Sequence, residues 1–264
     1  MTEPRDTHAE ADKGLNARRY RVHWRQLLAE SIAVIVSILV AFAIDAWWDG
    51  HQDQQRQHEI LVGLRADFQS SRPGLASRLE LARRMAKGNS DLLDLTRDHR
   101  DSEPLMVPDT LILAVLGGPT YEPDTNTLDA ALASGEIELL QDDELRAELA
   151  NWRRILSDTG EDEREVRRIT NEQLVPLMSR TLDLRPYYDM VLPWSGGDPF
   201  AAGRLITGNP SDDLHGQTSL AVDSELIGTL ALRKFYVEFA AADLEELLDS
   251  LDRIASILDG QLAR

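Results

Sequence analysis

Residues 27–48 read LLAESIAVIVSILVAFAIDAWW, and the kind of protein this chain makes turns on that stretch. From Ser31 to Ile44 no residue carries a charge, and every position except Ser31 and Ser37 is apolar. As a helix rising 1.5 Å per residue the stretch is about 33 Å long, enough for a hydrocarbon core of about 30 Å. Tyr20 and Trp24 precede it and Trp47 and Trp48 close it, where amphipathic rings settle at the two headgroup levels. Glu30 and Asp45 each stand about one helical turn inside an end, close enough to extend into the interface. Ala41-Phe42-Ala43 also fits a small-x-small cleavage site, which would make the run the core of a signal peptide. The long basic segment before it, the length of the apolar run and the helical pattern continuing past Trp47 favour a retained transmembrane helix.

Basic residues set the expected orientation. Lys13, Arg18, Arg19, Arg21 and Arg25 crowd the N-terminal side, whereas residues 49–62 hold only Arg56. The positive-inside rule then places residues 1–26 in the cytoplasm as an arm and everything after Trp48 outside, in the periplasm of a bacterial inner-membrane protein. The chain has a formal net charge of -18, and residues 49–264 carry that surplus, because the arm and the span cancel. An acidic external part excludes nucleic acid and an anionic membrane face as partners, since both select basic surfaces. The absence of cysteine removes disulfides, thiol catalysis and Cys-ligated metals. A composition 42% hydrophobic and 28% charged is that of a folded domain.

Beyond the span the periodicity is helical. Ile60, Leu61, Leu64 and Phe68 continue the spanning helix outward as an amphipathic stalk, and Pro73-Gly74 is expected to end it. A second helix is expected from Leu75 to about Thr96, with Leu75, Leu79, Ala82, Ala86 and Leu93 facing the stalk as an antiparallel hairpin. Short helices follow at 111–116 and from Asp124 or Thr125 to Ala133, the second stopped by Gly135. Asp142 and Asp143 lead a helix through Ser157, and Glu161 to Arg180 is helical again with Pro176 kinking it. Residues 184–221 are rich in Pro, Gly and Asp and are expected to form a long loop. A last helix runs from about Ser224 to the C-terminus, with Leu244, Leu247, Leu251, Ile254 and Leu258 at near-heptad spacing. No segment shows the alternation of a strand, so the expected class is an all-α bundle at 49–264 behind a single transmembrane helix at 27–48.

Two stretches together resemble a bacterial family of single-pass inner-membrane proteins whose extracytoplasmic domain has no assigned function. The first is Ala29-Glu30, the apolar run Ser31 to Val40, and Ala41 through Asp45 to Trp47. The second is Thr127-Leu128, Ser134-Gly135, Ile137-Glu138-Leu139-Leu140 and the acidic start Asp142 to Arg146. The resemblance implies the same topology and a helical external domain. It brings no reaction, ligand or catalytic residue.

The constellations that could carry chemistry are weak. His51 and His58 share a helical face beside Glu59, but no H-E-x-x-H pattern or third ligand accompanies them. Asp124-Thr125-Asn126 opens like a calcium loop and fails at Leu128, the third ligand position. Ser195, in Trp194-Ser195-Gly196, lacks the glycine two residues earlier that a nucleophile elbow needs, although a membrane-tethered periplasmic hydrolase is the alternative reading. Asp142-Asp143-Glu144 and Glu161-Asp162-Glu163 read as acidic helix N-termini. Tyr187, Tyr188 and Trp194 offer contact area in the expected loop and are the candidate surface for a protein partner. Ala29, Ala33, Ser37 and Ala41 form a small-residue stripe on the span, suited to close helix packing and a homo-oligomer. The expectation is a membrane-anchored envelope protein with a binding, scaffolding or assembly role, with no catalytic residue, metal or cofactor.

Overall fold

The computed structural model describes residues 24–97, 103–118, 120–191 and 216–263, and these are all-α apart from one two-stranded sheet. The chain divides into two units, the first ending at Gln52 and the second starting at Asp53. The described part of the first unit is helical throughout and belongs to α1 (Trp24–Thr96). Its apolar side chains are exposed all round, including Leu39, Phe42 and Trp47. That distribution suits lipid as solvent, because a helix meant for water hides one apolar face. One helix among the described residues is thus long and apolar enough to cross a membrane.

In the second unit, residues 53–96 of α1 are followed by β1 (Leu105–Pro108), α2 (Asp109–Leu116), α3 (Asn126–Ser134) and α4 (Asp143–Arg168). Then come a π-helical turn (Ile169–Leu174), α5 (Val175–Ser179), α6 (Arg185–Val191), β2 (Gln217–Leu220) and α7 (Ser224–Leu262). Local signals explain the ends. The Asp142 carboxylate accepts from Leu145 N at 2.9 Å and the Asp223 carboxylate from Leu226 N at 2.8 Å, meeting donors that a helix start leaves open. Gly135, at φ 79°, closes α3 in the left-handed conformation that glycine adopts without strain.

The core is a three-helix packing of α1, α4 and α7. Ile60, Leu64, Phe68 and Leu75 of α1 meet Leu145, Leu149, Trp152 and Ile155 of α4 and Leu244, Leu247, Leu251, Ile254 and Leu258 of α7. Phe68 and Trp152 touch edge to face with ring centroids 5.0 Å apart. Burying each such aliphatic side chain contributes about 1.5–3 kcal/mol. Ion pairs mark the direction: Arg65–Asp259, Arg72–Asp252 and Arg83–Glu245 show α7 antiparallel to α1, and Arg154–Glu246 and Arg253–Glu148 show it antiparallel to α4. A second apolar cluster joins Leu92, Ile112, Val115, Leu174, Met178, Tyr187, Leu220, Leu226 and Leu230 around the sheet.

Four expectations are corrected. Pro73 does not end the stalk: α1 runs through it to Thr96, so there is no hairpin at Pro73-Gly74. Pro73 and Gln69, whose carbonyl loses its partner, both face solvent, and the apolar residues on either side pack into one core. Second, α4 continues past Ser157, so Glu161-Asp162-Glu163 lies inside a helix and not at an N-terminus. Third, the expected loop 184–221 contains α6 and β2 among its described residues. Fourth, β1 and β2 pair antiparallel, Leu105 opposite Leu220 and Val107 opposite Thr218. Four-residue strands are too short to display a period, and their partners lie far apart in sequence. Pro176 lies in the first turn of α5, directly after the π turn.

Candidate functional site

The residues expected to meet a partner are separated by the structure. Tyr187 sits in α6 with only 4% of its surface exposed, whereas Tyr188 is 43% exposed. The Tyr187 hydroxyl is 2.8 Å from both Asp109 Oδ1 and Thr218 Oγ1, and Thr218 Oγ1 donates to Asp109 Oδ1 at 2.6 Å. Asp109 N donates to Gly216 O at 3.1 Å, and a Cβ at Gly216 would lie 2.1 Å from Asp109 Oδ2. A side chain there would displace the carboxylate. Burial, with the nearby Asp109 carboxylate adding to it against the Thr218 hydrogen bond, pushes the Tyr187 phenol up. This knot joins α2, α6 and β2, so Tyr187 is a structural residue and not contact area. Trp194, Ser195 and Tyr20 lie outside the described residues.

An apolar surface occurs elsewhere, on α7. Gly228, Ala231, Leu232, Phe235, Phe239 and Ala242 are all exposed and follow one another at helical spacing. Leu232, Phe235 and Phe239 are 41%, 51% and 50% exposed, far more than the Leu residues of the inner face. The rings of Phe235 and Phe239 lie 4.6 Å apart, and Tyr236 stands edge-on to Phe235 at 5.3 Å. Further along the same helix the outward positions turn acidic, with Glu245, Glu246 and Asp249. Contiguous exposed apolar residues bounded by charge are characteristic of interaction surfaces. Helical spacing alone contained this signal, but the Leu-rich opposite face dominates the pattern.

Two buried polar groups lie away from this surface's exposed side chains. Arg233 is fully buried. Its Nε donates to Thr170 Oγ1 and its Nη1 to Asn89 Oδ1, both at 2.9 Å, and Nη2 donates to the Gly117 carbonyl. Asn89 Nδ2 in turn donates to Leu230 O at 2.9 Å. These acceptors are neutral, and burial brings the guanidinium down to about 9. The π turn supplies Thr170, α1 supplies Asn89, and the residue following α2 supplies Gly117, so one side chain ties three segments to α7.

The second group is Glu163, 3% exposed on α4. Its Oε2 accepts from Tyr121 N at 3.2 Å, while Oε1 is buried without a hydrogen-bond partner. It lines a cleft of about 350 Å³ together with Thr120, Tyr121, Gly160, Arg164 and Arg167.

In the first unit Ala33, Ser37 and Ala41 are exposed along α1, and Ala29 lies on the same helix. The Ser37 hydroxyl donates to Ala33 O at 2.8 Å, so it is satisfied within its own helix. Trp24, Trp47 and Trp48 are exposed, and Trp47 stacks on His51 with centroids 6.0 Å apart. His58 lines a shallow depression with Gln54, Gln55 and Glu59. Among the described residues no group of three or more His, Cys, Asp or Glu is placed to hold a metal. Asp124 serves as a turn acceptor for Asn126 N, at 3.3 Å. No family model, curated protein or solved structure matches the chain.

Proposed function

We propose that the protein is a single-pass inner-membrane protein, N-terminus in the cytoplasm, whose periplasmic helical domain binds or scaffolds another envelope protein. The apolar stretch 27–48 and the basic residues before it support the topology. The resemblance in Ala29 to Trp47 and Thr127 to Arg146 supports the family reading. The observation that carries the binding role is the exposed Leu232, Phe235 and Phe239 face of α7, because large apolar side chains held half in water gain by meeting a partner. Self-association through the Ala29, Ala33, Ser37 and Ala41 stripe would bring several such faces together on one membrane.

A photoreactive phenylalanine analogue placed at Phe235 or Phe239 in the full-length protein, in its membrane, tests this reading. Irradiation is expected to give one discrete protein adduct from either position and none from Glu245, further along the same helix. Adducts of equal yield from all three positions, or none from any, would reject the α7 surface as the binding face. Because the chain has no cysteine, single cysteines at Thr2 and Asp249 test the topology independently. An impermeant maleimide should label only the second in intact spheroplasts.

A further inference from the structure

Residues 120–125 form a strap without regular structure leading to α3. It is held on two sides. On the α1 side the Tyr121 hydroxyl lies 3.5 Å from Ser71 O, and Asp124 N donates to Ser71 Oγ at 3.2 Å. On the α4 side Tyr121 N donates to Glu163 Oε2, and Arg167 Nη1 donates to Thr120 Oγ1, both at 3.2 Å. Glu163 is therefore the carboxyl that closes the strap onto α4 over the cleft of about 350 Å³.

Its surroundings solvate a carboxylate poorly. An ionised carboxylate has about four acceptor positions, and here one oxygen has a single amide at 3.2 Å while the other is buried without a partner. Arg167 on the same helix comes no nearer than 3.9 Å. Arg78 from α1 also acts on Glu163 with a positive charge, and Glu122 from the strap with a negative one. Arg164 lines the cleft and lies 3.9 Å from Glu161. Burial outweighs the amide and the two arginines and pushes the Glu163 carboxyl up to about 7. A buried charge this poorly solvated gains more from two wet oxygens than from one amide.

We propose that Glu163 is a proton-operated latch: with its proton it clamps residues 120–125 onto α4, and on losing it the carboxylate turns to water, the Tyr121 contact breaks and the cleft opens. The latch rests on no assumption about topology or partner. It would make the strap responsive to acidity near neutral pH, the range in which carboxylates ordinarily do not titrate.

Amide hydrogen exchange at Tyr121 reads the contact directly, in the full-length protein in detergent micelles and after correction for intrinsic base catalysis. Protection should be constant below about pH 6 and fall at least about tenfold by pH 8. Glu163→Gln, a neutral isostere, should hold protection at its low-pH value throughout, with the amides of Leu149 to Ile155 unchanged as a check of folding. Arg167→Gln removes a positive charge and should move the midpoint to higher pH. Flat protection in the wild type would overturn the latch, and so would a fall that survives Glu163→Gln or a midpoint indifferent to Arg167.

Discussion

At the scale of single residues, the stability of this protein turns on polar groups taken out of water. Asn89 answers Arg233 with its oxygen and Leu230 with its nitrogen, so Asn89→Ala strands a guanidinium N–H and a carbonyl together. Leaving buried polar groups unmet costs about 1–3 kcal/mol each, and urea denaturation of the detergent-solubilised chain should show a loss of about 2–4 kcal/mol. The carboxyls give a pH dependence of definite sign. Glu163 is raised to about 7 by burial, and Asp243 to about 6 by burial and then by the negative charges of Asp162, Asp158 and Glu246, against Arg154. A raised carboxyl holds its proton more tightly in the folded state, so its contribution is intact below about pH 4 and is lost as pH climbs through the folded value. Stability should therefore fall between about pH 5 and pH 7.5, with at most about 3 kcal/mol from Glu163. Glu163→Gln should flatten the upper part of that slope and Asp243→Asn the lower part. A stability that rises over this interval would contradict the assignment.

Helices and loops raise the question of what could be read in advance. The end of α3 and the start of α4 were legible because Gly135 and Asp142 do their work within a few residues. Pro73 was not, because a proline ends or merely interrupts a helix according to what packs on either side of it. Pro73→Ala distinguishes the two cases. In a continuous exposed helix it restores a hydrogen bond and should raise stability by about 1–3 kcal/mol, whereas in a hairpin turn it would be neutral or harmful. Thermal melts followed by circular dichroism decide it. Gly88 is the converse case, a glycine needed for approach: a Cβ there would lie 2.5 Å from the Cβ of Ala114. Gly88→Ala must push α1 and α2 apart and should cost about 1–3 kcal/mol. The tyrosines of 184–221 illustrate the same limit. Neighbours in sequence, Tyr187 and Tyr188 go to core and surface because α6 forms there and directs them apart.

For the molecule as a whole, the acidic domain and the apolar face of α7 make separable predictions. Phe235→Ser with Phe239→Ser changes side chains that are half in water and support no buried neighbour cluster, so unfolding free energy should move by no more than about 0.5 kcal/mol. With the photoreactive analogue moved to Leu232 on the same exposed face, the same double change should abolish the crosslinked adduct. Unaltered stability with lost binding identifies an interface, whereas a large loss of stability would return these residues to the fold. Replacing Ala33 and Ser37 with Leu should shift the solubilised protein toward monomer in light scattering, since bulk on the small-residue stripe keeps spanning helices from close contact. Persistence of the larger species would place any self-association outside the span.

The sequence by itself determined the apolar span, the helical class, the capped helix ends and the acidic, cysteine-free character of the chain, because composition, period and near-neighbour chemistry act locally. Tertiary structure alone decided that α1 runs unbroken through Pro73, that residues 105–108 and 217–220 find each other as strands, and that Arg233 lies among neutral acceptors. It also decided that Glu163, one of three consecutive acidic residues, is the one turned into the protein beneath Tyr121. Each of these depends on partners more than forty positions away in the chain, and burial, unlike helical period, is a property of what those partners surround.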